Sequence, residues 1–326
     1  MSKYNIAILG AGHIANAMAE ALNGLKEKVN CYAVASRTKS KAEDFANRWG
    51  FEHTYGSYEE LVNDPNVDLI YIATPHSHHY EHAKLCVEHG KPVLVEKAFT
   101  ANAIQTEELI ALAEERKVFI AEAMWTRYIP ARKIVEDILR SGVLGEITHL
   151  EADFSIPLTH IERLREPELA GGALLDLGVY ALTFSSMYFG DGFAKMETTC
   201  EKYETGVDAT SKTTYTFPNG KKSIMKTSFV SGPKNEGEIF GSKGSLYVRE
   251  LNNYKQITRR DVDGNDVEDY PIPEQINGYE YEVLACIKAL EQGKLECDEM
   301  PHQETLEIMR QMDALRKEWG VAYPFE

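Results

Sequence analysis

The hydrophobic pattern of the first third of the chain switches repeatedly between two periods. Short apolar runs at residues 6–9, 30–36, 67–73, 92–95 and 118–121 read as strands buried on both faces. Helical patterns lie between them. One starts at about His13; two start at the capping boxes Ser40-x-x-Glu43, running to about Trp49, and Ser57-x-x-Glu60. A fourth covers residues 77–88 with Gly90 as its stop, and a fifth runs from Asn102-x-x-Gln105 to about Arg116. Strands separated by helices of this length imply parallel pairing with right-handed crossovers, so residues 1–122 are predicted to form a doubly wound α/β domain.

The texture changes after residue 122. A helix at 132–140 and a strand at 147–156 precede two strands, 207–217 and 221–230, that flank the hairpin signal Pro218-Asn219-Gly220. Residues 238–240, 245–249 and 254–258 read as further antiparallel strands. Helices are predicted at 173–188, 279–290 and 302–319. Residues 123–326 are therefore expected to form an α+β domain, a mostly antiparallel open-faced sheet with helices on one side.

Composition narrows the function classes. A length of 326 residues suits two domains with sizeable cores, and a net charge of −16 argues against a nucleic-acid partner. The cysteines Cys31, Cys86, Cys200, Cys286 and Cys297 are odd in number and lack C-x-x-C spacing, so free thiols in a reducing, cytoplasmic setting are expected. No signal peptide and no membrane-spanning apolar run are expected.

The stretch YNIAILGAGHIANAMAE (residues 4–20) carries the first chemistry. Gly10, Gly12 and Ala15 fit the G-x-G-x-x-G/A turn of a dinucleotide-binding Rossmann domain. The helix start at His13 and Ile14 would offer free N–H groups to a pyrophosphate. Glycine-rich turns also join strands to helices for purely structural reasons, and the readable strand and helix on either side favour the cofactor. No carboxylate stands at the end of the second strand, where NAD-binding folds usually hold the ribose. Ser36 and Arg37 occupy it, with Lys41 behind, which suits a 2′-phosphate and predicts NADP over NAD. Arg37 as a merely solvated residue is the plain alternative.

Further candidates fall at strand ends and at the domain crossover. Thr74, His76 and His79 follow the VDLIYIA strand, in the crevice where open α/β sheets bind ligands. His76 and His79 are expected to line the nicotinamide-ribose pocket, and no metal is expected from this histidine-rich run. Glu96 and Lys97 end the next strand; a snorkelling surface lysine is the plain reading, which the placement opposes. Trp125 and Arg127 lie at the crossover, where packing and pocket formation are both open. Gly171 and Gly172 lead into a helix bearing Asp176 and Tyr180 at i,i+4, a pair that reads either as a buried hydrogen bond or as an acid/base site.

Taken together, AILGAGHIA, ATPHSHHYEHA, VLVEKAFT, EAMWTRYIP and GGALLDLGVYAL resemble the Gfo/Idh/MocA oxidoreductases over essentially the whole chain. Within that family the AMWTR stretch and Tyr180 are most similar to the dimeric dihydrodiol and pentose dehydrogenases. Many members have proline after the lysine where this chain has Ala98, so a changed loop conformation is expected there. Many also have histidine where this chain has Tyr180. The resemblance implies hydride transfer between nicotinamide C4 and a secondary hydroxyl carbon of a sugar, polyol or trans-diol. It makes Tyr180 the acid/base, Lys97 its assisting cation and Asp176 an orienting group, with Phe154, Trp125 and Arg127 as pocket walls. It also implies a homodimer or homotetramer. The family includes a galactose regulator, so a non-catalytic NAD(P) sensor is the rival function.

Overall fold

The apolar runs of the first third pair into one parallel sheet. Its strands are β1 (Tyr4–Leu9), β2 (Val29–Ala35), β3 (His53–Tyr55), β4 (Leu69–Ile72), β5 (Val93–Glu96) and β6 (Ile120–Ala123), in the order β3-β2-β1-β4-β5-β6. Every pairing is parallel. Strand order reverses between β1 and β4, which brings the turn after β1 beside the loop after β4. Helices α1 (His13–Gly24), α2 (Lys39–Trp49), α3 (Tyr58–Val62), α4 (His79–Glu88) and α5 (Ala103–Arg116) make the crossovers. Asn102 caps α5 through the Gln105 N–H (2.9 Å), and Ser57 caps α3 through the Glu60 N–H (3.1 Å). The Ser40 box is corrected: α2 opens at Lys39 after Thr38, with no side-chain cap, so Ser40 lies inside its first turn. The three-residue strand β3 is too short to show a period in the sequence.

The computed structural model describes residues 3–326, so residues 1 and 2 of the first predicted domain lie outside the described residues. Two compact units divide the chain, one running to Tyr128 and taking in Gln275–Met309, the other holding Ile129–Glu274 and Arg310–Glu326. This changes the predicted boundary at residue 122, because a late segment returns to the first unit. Asn277 Nδ2 donates to Ala17 O (2.8 Å) and Glu20 Oε2 (3.0 Å), and Ile120 N–H donates to Leu295 O (3.0 Å). Local periodicity cannot report which of two sheets a helix will join.

The second unit holds an eight-stranded sheet: β7 (Ile147–Ser155), β8 (Lys195–Lys202), β9 (Asp208–Thr216), β10 (Lys222–Ser228), β11 (Lys234–Gly241), β12 (Gly244–Arg249), β13 (Gln256–Arg260) and β14 (Asp266–Tyr270). The order is β14-β13-β12-β11-β7-β10-β9-β8, antiparallel throughout except for β7 with β10. Strands β8 and β14, largely exposed and polar, give no signal in the sequence because neither carries a buried stripe. Helices α6 (Ala131–Ser141), α7 (Glu162–Arg165) and α8 (Val179–Phe189) belong to this unit, and α9 (Glu280–Glu291) to the first. The last helix, α10, is His302–Trp319.

Helix α8 is apolar on all sides, as a core helix must be. Contrary to the expectation of no such run, Pro167–Phe189 is long and apolar enough by composition to cross a membrane. With 89% of its apolar window buried in the fold, its hydrophobicity is spent on the core.

Candidate active site

The turn after β1, Gly10-Ala11-Gly12, carries no side chain larger than a methyl group. Gly10 has φ +104°, and a Cβ there would lie 3.0 Å from Thr74 Cγ2 and 3.1 Å from Ala73 O. Gly12 stands at the N-cap of α1, and no side chain caps that helix. Its first-turn N–H groups, from His13 and Ile14 onward, therefore face outward as an anion site would require. Ala15 is fully buried, which lets α1 lie close on the sheet. This geometry fits a pyrophosphate.

At the end of β2, Ser36 is buried and its Oγ accepts the Thr38 N–H (3.4 Å), while Arg37 and Lys41 are exposed. Neighbouring Lys39 donates to Thr54 O.

The loops after β4 and β5 meet through His79. It is fully buried, with Nδ1 2.8 Å from Ala98 O and Nε2 2.7 Å from Thr74 O. Burial drives its pKa down to about 4, against the raising effect of the two carbonyls that its ring nitrogens face. The expectation that His79 lines the nicotinamide-ribose pocket is corrected: both ring nitrogens point at backbone, and the residue ties two loops together. His76 is 6% exposed and packs edge-on against His79, with ring centroids 5.6 Å apart. Thr74 Oγ1 is 3.0 Å from His82 Nδ1, and burial lowers His82 to about 4. Among the described residues no group of three or more His, Cys, Asp or Glu is placed to hold a metal ion.

Glu96 ends β5 and Lys97 follows it, and Glu96 works as a brace. Its Oε1 accepts the Tyr71 hydroxyl and its Oε2 the Lys97 backbone N–H (3.1 Å). Lys97 is half-buried, and the Lys97–Ala98 peptide bond is cis. Trp125 is 8% exposed and stacks on Tyr279 at 4.5 Å. Arg127 pairs with Glu304, and its Nε donates to Glu299 O (3.0 Å). That is a correction to its reading as a pocket wall: the guanidinium anchors the returning segment Gln275–Met309 within the first unit.

In the second unit the Gly171–Gly172 turn is forced by its surroundings. A Cβ on Gly171 would sit 2.8 Å from the Arg163, Leu164 and Glu166 carbonyls. One on Gly172, at φ +114°, would sit 2.1 Å from Asp208 Oδ1. Asp208 is fully buried, and its Oδ2 accepts the Leu174 N–H (2.7 Å). The Tyr323 hydroxyl donates to Gly171 O (3.0 Å).

The chain then enters a π-helical turn, Leu174–Gly178, where a continuous α-helix was expected. Gly178 permits it: a Cβ there would lie 2.9 Å from Leu174 Cδ1 and 3.6 Å from Thr227 Oγ1 of β10. Single π turns inside helices are frequent at functional sites. Asp176, in this turn, accepts from Arg163 Nη2 at 3.0 Å. Tyr180, at the start of α8, is 5% exposed, with its ring 5.5 Å from that of Phe154 in β7.

Sequence reasoning missed Arg163, Asp208 and Glu122. Of these only Glu122 left a signal, an acid inside the otherwise apolar run IAEA.

Two family descriptions match the chain, one for each type of sheet. "Oxidoreductase family, NAD-binding Rossmann fold" covers residues 4–123, and "GFO/IDH/MocA C-terminal domain" covers residues 133–247. Trans-1,2-dihydrobenzene-1,2-diol dehydrogenase of Mus musculus is 33% identical over 97% of each chain. D-xylose 1-dehydrogenase (NADP(+)) of Hypocrea jecorina is 36% identical over 90% of this chain and 84% of that protein. The fold matches that of KijD10, a 3-ketoreductase from Actinomadura kijaniata, with a TM-score of 0.87, 24% identity and coverage of 97% and 98% of the two chains. The chain therefore belongs to the Gfo/Idh/MocA family of oxidoreductases, as a dehydrogenase acting on CH–OH groups.

Proposed function

We propose that this protein is an NADP-dependent dehydrogenase that oxidises a secondary hydroxyl of a sugar, polyol or trans-diol, or reduces the corresponding carbonyl. One observation carries the cofactor reading: a helix start with glycine at its N-cap and no side-chain cap lies in a fold whose second strand ends in buried Ser36 and exposed Arg37, with no carboxylate. The name of the 36% identical xylose dehydrogenase supports NADP, and the names of both relatives support sugar and diol substrates.

When bound, NADP would accept or supply a hydride at its nicotinamide C4. Gly10, Gly12, His13 and Ile14 would hold its pyrophosphate, and Ser36, Arg37 and Lys41 its 2′-phosphate, with Thr74 and His76 towards the nicotinamide. Tyr180 takes the hydroxyl proton on oxidation and returns it on reduction. The Lys97 ammonium polarises a substrate oxygen, and Asp176, held by Arg163, orients a substrate hydroxyl. Phe154 and Trp125 offer apolar surface to the carbon skeleton.

The test is NADPH formation across aldoses, polyols and trans-diols, with NAD⁺ in parallel. Turnover dependent on NADP⁺ is expected. Tight NADP⁺ binding with no turnover on any of them would favour the sensor instead. Arg37→Gln is expected to raise KM for NADP⁺ roughly tenfold, as loss of a charge-assisted pair to phosphate would, and to leave KM for NAD⁺ nearly unchanged. Equal effects on both would remove Arg37 from the 2′-phosphate site.

A further inference from the structure

The turn that carries Lys97 is gripped at three consecutive residues by three buried side chains from three elements. Glu96 of β5 accepts the Lys97 N–H at 3.1 Å. His79 of α4 lies 2.8 Å from Ala98 O. Glu122 of β6 accepts the Phe99 N–H through Oε1 at 3.1 Å. The exposures of these side chains are 5%, 0% and 2%. Backbone groups in such a buried turn need partners, and here side chains supply them.

Glu122 is the costly member of the set. It lies in Ile120–Ala123, a strand buried along its whole length and paired with β5 so that Glu122 stands opposite Val95. A carboxyl there is expensive to desolvate, and an apolar residue would suit the strand better if packing were all that mattered. Burial raises it to about 7, Glu96 adds to the shift, and the Thr305 hydroxyl, the Phe99 N–H and Lys97 oppose it.

We propose that Glu122 is a positioning residue for Lys97, holding the far end of the 97–99 turn so that the lysine side chain leaves β5 in one fixed direction. This rests on the reading that Lys97 acts on the substrate oxygen.

Two variants and two readouts test it. Glu122→Leu removes the acceptor, while Glu122→Gln retains a carbonyl oxygen for the Phe99 N–H. Amide exchange of the segment spanning residues 97–101, measured without substrate, is expected to speed up at least ~10-fold in Glu122→Leu. In the same variant kcat is expected to fall roughly 10- to 100-fold, with KM for NADP⁺ within about threefold of wild type, as misplacement of a reacting group predicts. Glu122→Gln is expected to restore most of both losses.

Unchanged exchange or unchanged kcat in Glu122→Leu overturns the proposal, and so does equal loss in Glu122→Gln. Should Glu122→Leu not fold, Glu122→Asp, which draws the carboxylate back by one methylene, is read in the same way. Lys97→Met separates the two levels of the argument. Full turnover in that variant removes the role of Lys97 itself; turnover lost there but kept in Glu122→Leu removes only the positioning.

Discussion

Phenylalanine in place of Tyr180 is expected to lower kcat by about 10²–10⁴-fold and to leave NADP⁺ affinity within about threefold. The substitution is a narrow one. Tyr180 is buried, with its ring packed at 5.5 Å from Phe154, so the variant keeps the ring, fills the same space and loses only the hydroxyl. A fall in kcat then reports proton transfer and not a cavity. The residues proposed to bind NADP belong to the other compact unit, so unchanged cofactor affinity separates a loss of proton transfer from a loss of cofactor binding. Lys97→Met should behave alike, because both residues are assigned to the chemical step. Steady-state kinetics with a fluorescence titration of NADPH decide the matter. Full turnover in Tyr180→Phe would strip the residue of its acid/base role, and a rise in KM at constant kcat would make it a binding group only.

The doubly wound sheet was legible because its signals are local. Each apolar strand, each cap at Ser57 or Asn102 and each stop glycine announces itself within a few residues, and the glycine at 10 fell where the turn required it. The candidate site was read from position, and its contacts were not legible. Lys97 and Tyr180 were proposed from strand end and helix face, while His79, Glu96 and Arg127 were credited with facing a ligand when their polar atoms serve the protein. A histidine or arginine near a pocket looks the same in sequence whether it faces inward or outward, since its partner is a carbonyl or an acid many residues away. Arg127 meets Glu304, and Asp176 meets Arg163, by folding alone. The π turn was equally hidden, because Leu174–Gly178 has the composition of an ordinary apolar helix.

The Asp208→Asn variant is expected to gain stability relative to wild type as pH rises from about 4 to about 7. Asp208 is wholly buried beneath Gly172, and its Oδ1 has no hydrogen-bond partner among the described residues. Burial raises its pKa to about 7, against the lowering effects of the Leu174, Asp208 and Ala173 N–H groups and of Arg316. Below pH ~4 the carboxyl is protonated whether the chain is folded or not. Between there and about 7 the unfolded chain has released the proton and the folded chain still holds it, so wild-type stability falls with rising pH across this window and levels off above it. The amide of Asp208→Asn has no proton to release. The free-energy difference between the two proteins should therefore move in favour of the variant by a few kcal/mol, about 1.4 kcal/mol for each tenfold change in proton affinity on folding. Denaturation of both proteins at pH 4.5 and 7.5 reads it directly. Parallel behaviour at the two pH values would mean that Asp208 is ionised in the fold throughout the range. The turn leading to Asp176 and Tyr180 would then rest on a buried carboxylate, and Asp208→Asn would loosen it at every pH.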